Sequence, residues 1–411
     1  MEYVTLEEVE QAYLDCRRNK RRKASAVKYE MNYEVNNYEL WRELNSMTYK
    51  VGKSIAFCVT RPKLREVFAA DFRDRIVHHL IMLKLLPLLE SEMIEDSYNC
   101  RKGKGTIYGA RRLKEHIEYV SEDYTKEAWV LKCDIQGFFM SIDKDILWTL
   151  LRDVMITKYK GDNLDWWMWL LKTVVYHRPE QNCEIHGDEN MWNDLPDDKT
   201  LFRTNGRGLP IGNLTSQIFA NLYMTYFDWW VIDNIGRDDR YVRYVDDFVV
   251  ISKDKSRLLK LLERARPWLK ENLNVRLHPK KVYLQEVRKG IEFIGTVIKP
   301  HRTYSTKRIV YNAFSAVERY NEGRLPLENF VQAVNSYLGF LIHNNTYGIR
   351  WMVWKQIDDK SRMRNDNMRK IVIINNNIRF EQVERNGILI AEWTKLNNDE
   401  LHQDNSCDIR I

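Results

Sequence analysis

The sequence predicts an α+β protein of two or three lobes, and three observations lead there. Its 411 residues are 44% hydrophobic and 30% charged, with only 9 prolines and 17 glycines, the make-up of a folded globular chain. At about 150 residues per domain, that length allows two or three lobes with ample core. Helical spacing dominates, while a few short apolar runs, Trp129–Cys133 and RYVRYVDDFVVIS above all, read as buried strands.

Several classes are excluded at this level. The longest apolar stretches, Leu80–Leu89 and Leu164–Val175, are broken by Lys84 and Pro87 or by Lys172. Neither approaches the ~20 apolar residues of a membrane span. The start, MEYVTLEEVEQAYLDCRRNK, lacks the basic-then-apolar order of a signal peptide. Six scattered cysteines without a CxxC pair point to reduced thiols in a cytoplasm, not to a disulfide scaffold or structural zinc. Sixty-five Lys+Arg against 58 Asp+Glu leave a net charge of +7, with basic clusters at 17–23 (RRNKRRK) and Arg101–Lys114. Those clusters, with 22 tyrosines and 13 tryptophans, suit phosphate contacts beside base stacking.

Along the chain, residues 1–50 read as polar helices opening at Thr5, with Glu8 completing a capping box. A β-like run (SIAFCVT) precedes REVFAADFRDRIVHHLIMLKLLPLLESEM, a strand or turn entering an amphipathic helix. RKGKGTIYGARRLKEHI is a basic loop entering a helix near Thr106; its GKG is no P-loop, since GxxxxGK[ST] is absent. The Trp129–Cys133 strand delivers Asp134 and leads to a helix around Lys144. A Trp-rich excursion over 151–205 is a helix followed by irregular chain. Its Asp188, Glu189, Asp194, Asp197 and Asp198 read as solvated. GLPIGNLTSQIFANLYMTYFDWWV is a glycine-punctuated turn feeding a long helix. After the RYVRYVDDFVVIS hairpin come a helix over Ser256–Leu273, a strand-turn (VRLHPKKVYLQEV), a strand pair (IEFIGTVI), helices from Thr306 to Lys370 and a strand-like tail over 371–411.

The hairpin carries the chemistry. Adjacent carboxylates at its tip, Asp246 and Asp247, repel each other unless something positive compensates them. A third, Asp134, ends a buried strand. Carboxylates with water suit Mg²⁺, and two such ions can clamp the attacking and leaving oxygens of a phosphoryl transfer. His78 and His79 do not make a metal pair: adjacent helical side chains diverge by about 100°.

Taken in order, LKCDIQGFF, GLPIGNLTSQIFANLY, YVDD, HPKKV and IEFIGTVI resemble the five palm motifs of reverse transcriptases. The resemblance spans Arg61 to Pro300 and continues less clearly beyond. IGNLTSQ, where retroviral and group II intron enzymes usually carry QG, is similar to the diversity-generating retroelement branch and related bacterial defence enzymes. The implied fold is a right hand. It has an N-terminal basic helical extension (1–60), fingers (61–130), a palm of antiparallel sheet plus helices (131–300), a helical thumb (301–370) and a C-terminal extension (371–411).

The resemblance implies an RNA-directed DNA polymerase with two Mg²⁺ ions held by Asp134, Asp246 and Asp247. Phe139, five residues past Asp134, matches the aromatic gate that would clash with a ribose 2′-OH; as a residue it equally suits core packing beside Phe138. Arg73 matches the fingers residue that contacts the triphosphate, with Arg65 and Lys63 as competitors. Lys280 or Lys281 matches the lysine that protonates leaving pyrophosphate. Gly212 belongs to a turn that lets backbone approach the nucleotide, and Gln217 to a template or primer contact. Ile211 stands where many relatives have a glutamine, which implies low fidelity, particularly opposite adenine.

Expected partners are an RNA template, a DNA primer and product, deoxynucleotide triphosphates, a non-coding RNA, and an accessory protein or further copies of the chain. Residues 371–411 are too few for an RNase H domain, so other activities are expected from partners. The biological setting expected first is antiphage defence. Alternatives are an error-prone retroelement enzyme, protein-primed or untemplated DNA synthesis, and a binding protein with a vestigial polymerase fold. The last is disfavoured by three retained carboxylates.

Overall fold

The structure, a computed structural model, describes residues 2–18, 20, 23–60, 63–374, 378–385 and 388–395; Asn19, Arg21 and Arg22 of the basic run, and Arg61, lie outside them. Helix α1 (Leu6–Arg17) starts on the expected capping box: Glu8 N–H donates to Thr5 Oγ1 at 3.3 Å, and Thr5 N–H donates to Glu8 Oε2 at 3.1 Å. Helices α2 (Ala24–Glu30) and α3 (Tyr33–Asn45) follow. Strands β1 (Ser54–Val59) and β2 (Arg65–Ala69) pair antiparallel, from Ile55↔Ala69 to Val59↔Arg65.

Helix α4 (Phe72–Glu92) departs from the amphipathic expectation. Ile76, Val77, Leu80, Ile81, Leu85 and Leu89 are all buried, because the helix runs through the main core with neighbours on several sides. Each such side chain contributes about 1.5–3 kcal/mol by leaving water. Helix α5 (Thr106–Ser121) begins at the expected threonine. Strand β3 (Trp129–Ile135) leads through the short α6 (Phe138–Ser141) into α7 (Lys144–Lys158), whose Asp143 cap accepts from Asp145 N–H at 3.1 Å. In α8 (Leu164–Val175), Trp166 and Trp167 are core residues.

From Pro179 to Arg203 the chain makes short 3-10 turns and one strand, β4 (Cys183–Ile185), which pairs parallel with β1 (Ser54↔Cys183). Helix α9 (Leu214–Asn234), strands β5 (Arg240–Tyr244) and β6 (Asp247–Ser252), helix α10 (Lys255–Leu273), and strands β7 (Leu277–Glu286) and β8 (Ile291–Phe293) complete the first of two compact units, which divide between Ile294 and Gly295. Its main sheet is antiparallel in the order β5-β6-β3-β7. One face buries Leu131, Cys133, Phe248 and Val250 in the core, where Phe227 of α9 meets Phe248 edge-on at 5.1 Å.

The second unit opens with a hairpin, β9 (Thr296–Lys299) and β10 (Arg302–Ser305), followed by α11 (Lys307–Asn321), α12 (Leu327–Leu341) and α13 (Tyr347–Lys355). Phe330, Val334, Leu338 and Val353 lie in its own core. The helices expected as far as Lys370 end at Lys355: β11 (Met363–Asp366) and β12 (Lys370–Ile373) make a hairpin instead. Asn367 and Met368 between them adopt φ of +53° and +56°, a turn backbone incompatible with a helix. Strands β13 (Ile378–Arg385) and β14 (Ile388–Lys395) pair antiparallel, and the rest of the tail lies outside the described residues. Among the described residues no helix is long and apolar enough to cross a membrane.

Candidate active site

The register of the main sheet brings the carboxylates together. Cys133 pairs with Phe248 on one side and Val282 on the other, and Tyr244 pairs with Asp247 across the hairpin. One residue further along β3, Asp134 therefore lies between the Asp246–Asp247 tip and the Lys281 end of β7. Paired strand residues share a face, and residues two apart share it too. That rule puts Lys132, Asp134, Asp247 and Lys281 on the face opposite Leu131, Cys133, Phe248 and Val250.

Their contacts agree. Lys281 Nζ donates to Asp134 Oδ1 at 2.8 Å. Lys132 Nζ stands 3.6 Å from Asp247 Oδ2 and donates to the Glu292 carbonyl at 3.0 Å. Among the described residues Asp246 forms no ion pair, although the charge of Lys281 pulls its carboxyl down. Burial, then the charges of Asp134 and Asp247, push its carboxyl up to about 7 from 3.8. Burial also raises Asp247, although Lys132 pulls the other way. For Lys281, burial works against the ammonium, yet the Asp134 hydrogen bond and the three carboxylates outweigh it and hold it above its ordinary value. Lys280 is exposed, its backbone N–H donating to His278 Nδ1 at 3.2 Å.

The hairpin tip is strained and braced. Pairing of Tyr244 with Asp247 leaves a two-residue turn in which Val245, a β-branched residue, takes φ +58°. Such a residue avoids that region unless its surroundings enforce it. Enforcement comes from Arg243, which is 0% exposed. Its guanidinium donates to the Val245 carbonyl at 2.9 Å, to Asp228 Oδ1 at 2.7 Å and to Asp228 Oδ2 at 2.6 Å. Tyr241 Oη also donates to Asp228, at 2.7 Å. The sequence reading missed Arg243, Asp228 and Lys132; charged residues inside apolar stretches were the available signal for the first two.

The remaining predicted residues distribute around this centre. Phe139 is half-buried on α6, edge-on to Phe138 at 5.7 Å, and its carbonyl accepts from Leu209 N–H at 2.8 Å. Ile211 packs against the small cluster of Ala56, Phe68 and Met140, and its carbonyl accepts from Phe68 N–H at 2.9 Å. At Gly212, φ is +124° and a Cβ would lie 2.7 Å from the Phe68 carbonyl oxygen, so this close approach requires glycine. Gln217 is bonded to the Cys100 thiol. Arg73 is tethered: it pairs with Glu43 and lies over Tyr49 at 5.1 Å. Arg65 and Lys63 are exposed.

Two expectations about side chains are resolved differently. His78 is buried, its Nδ1 2.9 Å from Thr215 Oγ1, and burial lowers it to about 3, so it packs as a neutral ring as expected. Asp198, expected to be solvated, is only partly so: it accepts from Gln136 Nε2 at 3.2 Å, and its backbone closes on Gly137. The reason is the fold of the excursion, which turns back over the Asp134–Phe139 segment.

A family model described as reverse transcriptase (RNA-dependent DNA polymerase) matches residues 60–298, more than half of the chain and the whole of the main sheet. The chain belongs to the reverse transcriptase family. It is 24% identical to the protein YkfC of Escherichia coli (strain K12), over 60% of this chain and 67% of that one. Among solved structures it is similar to apo telomerase from Candida tropicalis, with a TM-score of 0.46 and 11% identity over 75% of this chain and 59% of that one. Telomerase from Candida albicans in complex with a TWJ fragment of telomeric RNA gives 0.43 and 12%, over 80% and 60%. The chain thus spans about 60% of the length of these telomerase chains.

As a reverse transcriptase, the protein has the expected α+β polymerase fold, and the Tyr244–Asp247 hairpin lies inside the matched region. Asp134, Asp246 and Asp247 offer the hard oxygen donors that a divalent ion prefers. Burial and, after it, the charges of Asp134 and Asp247 raise Asp246, and a cation there would offset both. As the side chains stand, Lys281 and Lys132 occupy two of the carboxylates, and among the described residues no group of three or more His, Cys, Asp or Glu is arranged to hold a metal. The donor chemistry fits an ion, since Lys281 engages only Oδ1 of Asp134 and Lys132 faces only Oδ2 of Asp247, and a carboxylate has two oxygens.

Proposed function

We propose that this protein is an RNA-directed DNA polymerase that extends a DNA primer with deoxynucleotide triphosphates. The observation that carries the reading is the convergence of Asp134, Asp246 and Asp247 at one end of the main sheet, in a reverse transcriptase chain. Two Mg²⁺ ions bound by these carboxylates would neutralise the triphosphate and align the in-line displacement. Asp246, the carboxylate without a cationic partner, gains most from that binding. Lys281 is the better choice over Lys280 for protonating the leaving pyrophosphate, since its ammonium already reaches Asp134 at 2.8 Å. Phe139 excludes a ribose 2′-OH, Arg65 and Lys63 offer exposed cations to the triphosphate, and Arg73 can join them only by leaving Glu43. We assign residues 61–130 to fingers, 131–300 to palm and 301–370 to thumb.

For biological use we infer a dedicated non-coding RNA in antiphage defence, with the 151–205 excursion and residues 371–411 as the added chain that would hold it. Ile211 supports the second reading, an error-prone retroelement enzyme. Replacing Ile211 with glutamine is then expected to lower misincorporation opposite adenine about tenfold, measured by sequencing products from a defined RNA template; an unchanged error rate sinks that reading.

The chemistry is tested by purifying the chain beside an Asp246→Ala/Asp247→Ala variant from cells carrying its native locus, and sequencing the bound nucleic acids. Primer extension on RNA and bound cDNA by the wild type alone are expected. A cDNA copied from a non-coding RNA favours defence, whereas cDNA with errors clustered at adenines favours the retroelement. Identical DNA in both preparations overturns the polymerase assignment.

A further inference from the structure

The excursion between α8 and α9 is more than a surface loop. Its anchor is Glu66 on β2, which is 1% exposed and, among the described residues, has no cationic partner within bonding distance. Instead its carboxylate accepts three hydrogen bonds from the excursion: Trp192 Nε1 at 2.7 Å, Thr200 Oγ1 at 2.6 Å and Leu201 N–H at 2.8 Å. Burying a carboxylate is costly unless it is bonded this fully, so three donors from one segment mark a built attachment. Trp192, Leu195 and Leu201 then fill a small core with Ala56, Phe68 and Met140.

The same segment reaches both parts of the chain that would meet an incoming nucleotide. Asp198 bonds Gln136, two residues past Asp134, and its carbonyl oxygen lies 2.7 Å from where a Cβ on Gly137 would stand. Gly137, at φ +55°, starts the helix that carries Phe139. Leu201 abuts Gly208, and Gly208 N–H and Leu209 N–H donate to the carbonyls of Ile142 and Phe139, each at 2.8 Å. Phe68, on the strand that holds Glu66, donates its N–H to Ile211. Strand β2, the Phe139 helix and the Ile211–Gly212 turn are therefore one block, and the excursion is what fills the space between them.

We propose that the 179–207 excursion is a positioning clamp for the nucleotide: latched on Glu66 and seated through Asp198 on the Gln136–Gly137 turn, it sets where Phe139 stands and so how strongly deoxynucleotides are chosen over ribonucleotides. This rests on the polymerase reading and on Phe139 as the gate. Glu66 and Asp198 are positioning residues, since they act through the backbone that carries Phe139.

The test is single-nucleotide addition by the full chain, comparing kcat/KM for a deoxynucleotide and its ribonucleotide counterpart. Asp198→Ala, at a half-exposed site that leaves the core intact, and Glu66→Gln, which turns one acceptor into a donor facing a donor, are each expected to reduce the deoxy preference about tenfold, because a displacement on the order of 1 Å costs up to 10²-fold in placement-dependent steps. Asp198→Asn keeps an oxygen for Gln136 and should restore the wild-type ratio. A preference within twofold of wild type in Asp198→Ala, whatever its Tm or kcat, overturns the clamp, because a purely structural role lowers activity toward both sugars alike. Absence of any extension by the wild type overturns the polymerase reading itself, and the clamp with it.

Discussion

Replacing Arg243 with methionine is expected to destabilise the protein by about 3–5 kcal/mol, the cost of leaving one member of a buried ion pair without its partner. Asp228, also 0% exposed, would keep only the Tyr241 hydroxyl, and the Val245 carbonyl would lose its donor. The double variant Arg243→Met/Asp228→Leu removes both charges and should recover most of that loss, as apolar replacements of buried pairs often do. Urea unfolding midpoints of the two variants check this. A single-variant loss below about 1 kcal/mol, the size expected of an exposed pair, would show that the pair is not buried as described. Polymerase activity is expected to stay low even in the stabilised double variant, because nothing then holds Val245 at its positive φ.

The second large effect separates stability from chemistry. Asp246→Asn is expected to lower primer extension by about 10³-fold or more, since on the proposed reading it removes a carboxylate that would hold a divalent ion beside the reacting phosphate. Without divalent ions, however, the variant should be the more stable protein at pH 8. In the wild type the Asp246 carboxyl is raised to about 7 in the folded state, above its ordinary 3.8. The folded state therefore favours its protonated form: that contribution is fully present below the ordinary value and is lost as pH rises through about 7. Asparagine stays neutral, so the Tm advantage of the variant should grow between pH 5 and pH 8. Adding Mg²⁺ at pH 8 should raise the wild-type Tm more than that of the variant, as a ligand of the native state does. Equal pH profiles in chelator would mean that Asp246 is not the uncompensated carboxylate.

Much of this site is legible in a linear reading because its parts are short and local. Val245 and Asp246 form a two-residue turn between apolar strands, and the apolar runs on either side of the adjacent carboxylates carry the signal for a hairpin without any tertiary information. Asp134 is likewise announced by the buried run before it. The caps at Thr5 and Asp143 act within three residues. Errors arose where local pattern is ambiguous. The α4 stretch has polar residues at intervals that mimic an amphipathic helix, yet its apolar side chains are buried nearly all round. Past Lys355 a helical pattern was extended through Asn367–Met368, whose turn geometry few sequence signals mark.

Choosing between Lys280 and Lys281 needed the register of β7 against β3, since a shift of one residue exchanges the faces of a strand. Finding Glu66 and Asp198 needed contacts across 126 to 135 and 62 residues of chain. Composition, motif order and the places of the three aspartates along the chain were legible in the sequence, because residue identity and spacing are local properties. Which lysine faces the carboxylates, what braces Val245, and what latches the excursion were settled by packing. A buried polar group must find a partner wherever the folded chain supplies one, and no periodicity along the chain records which distant residue that will be.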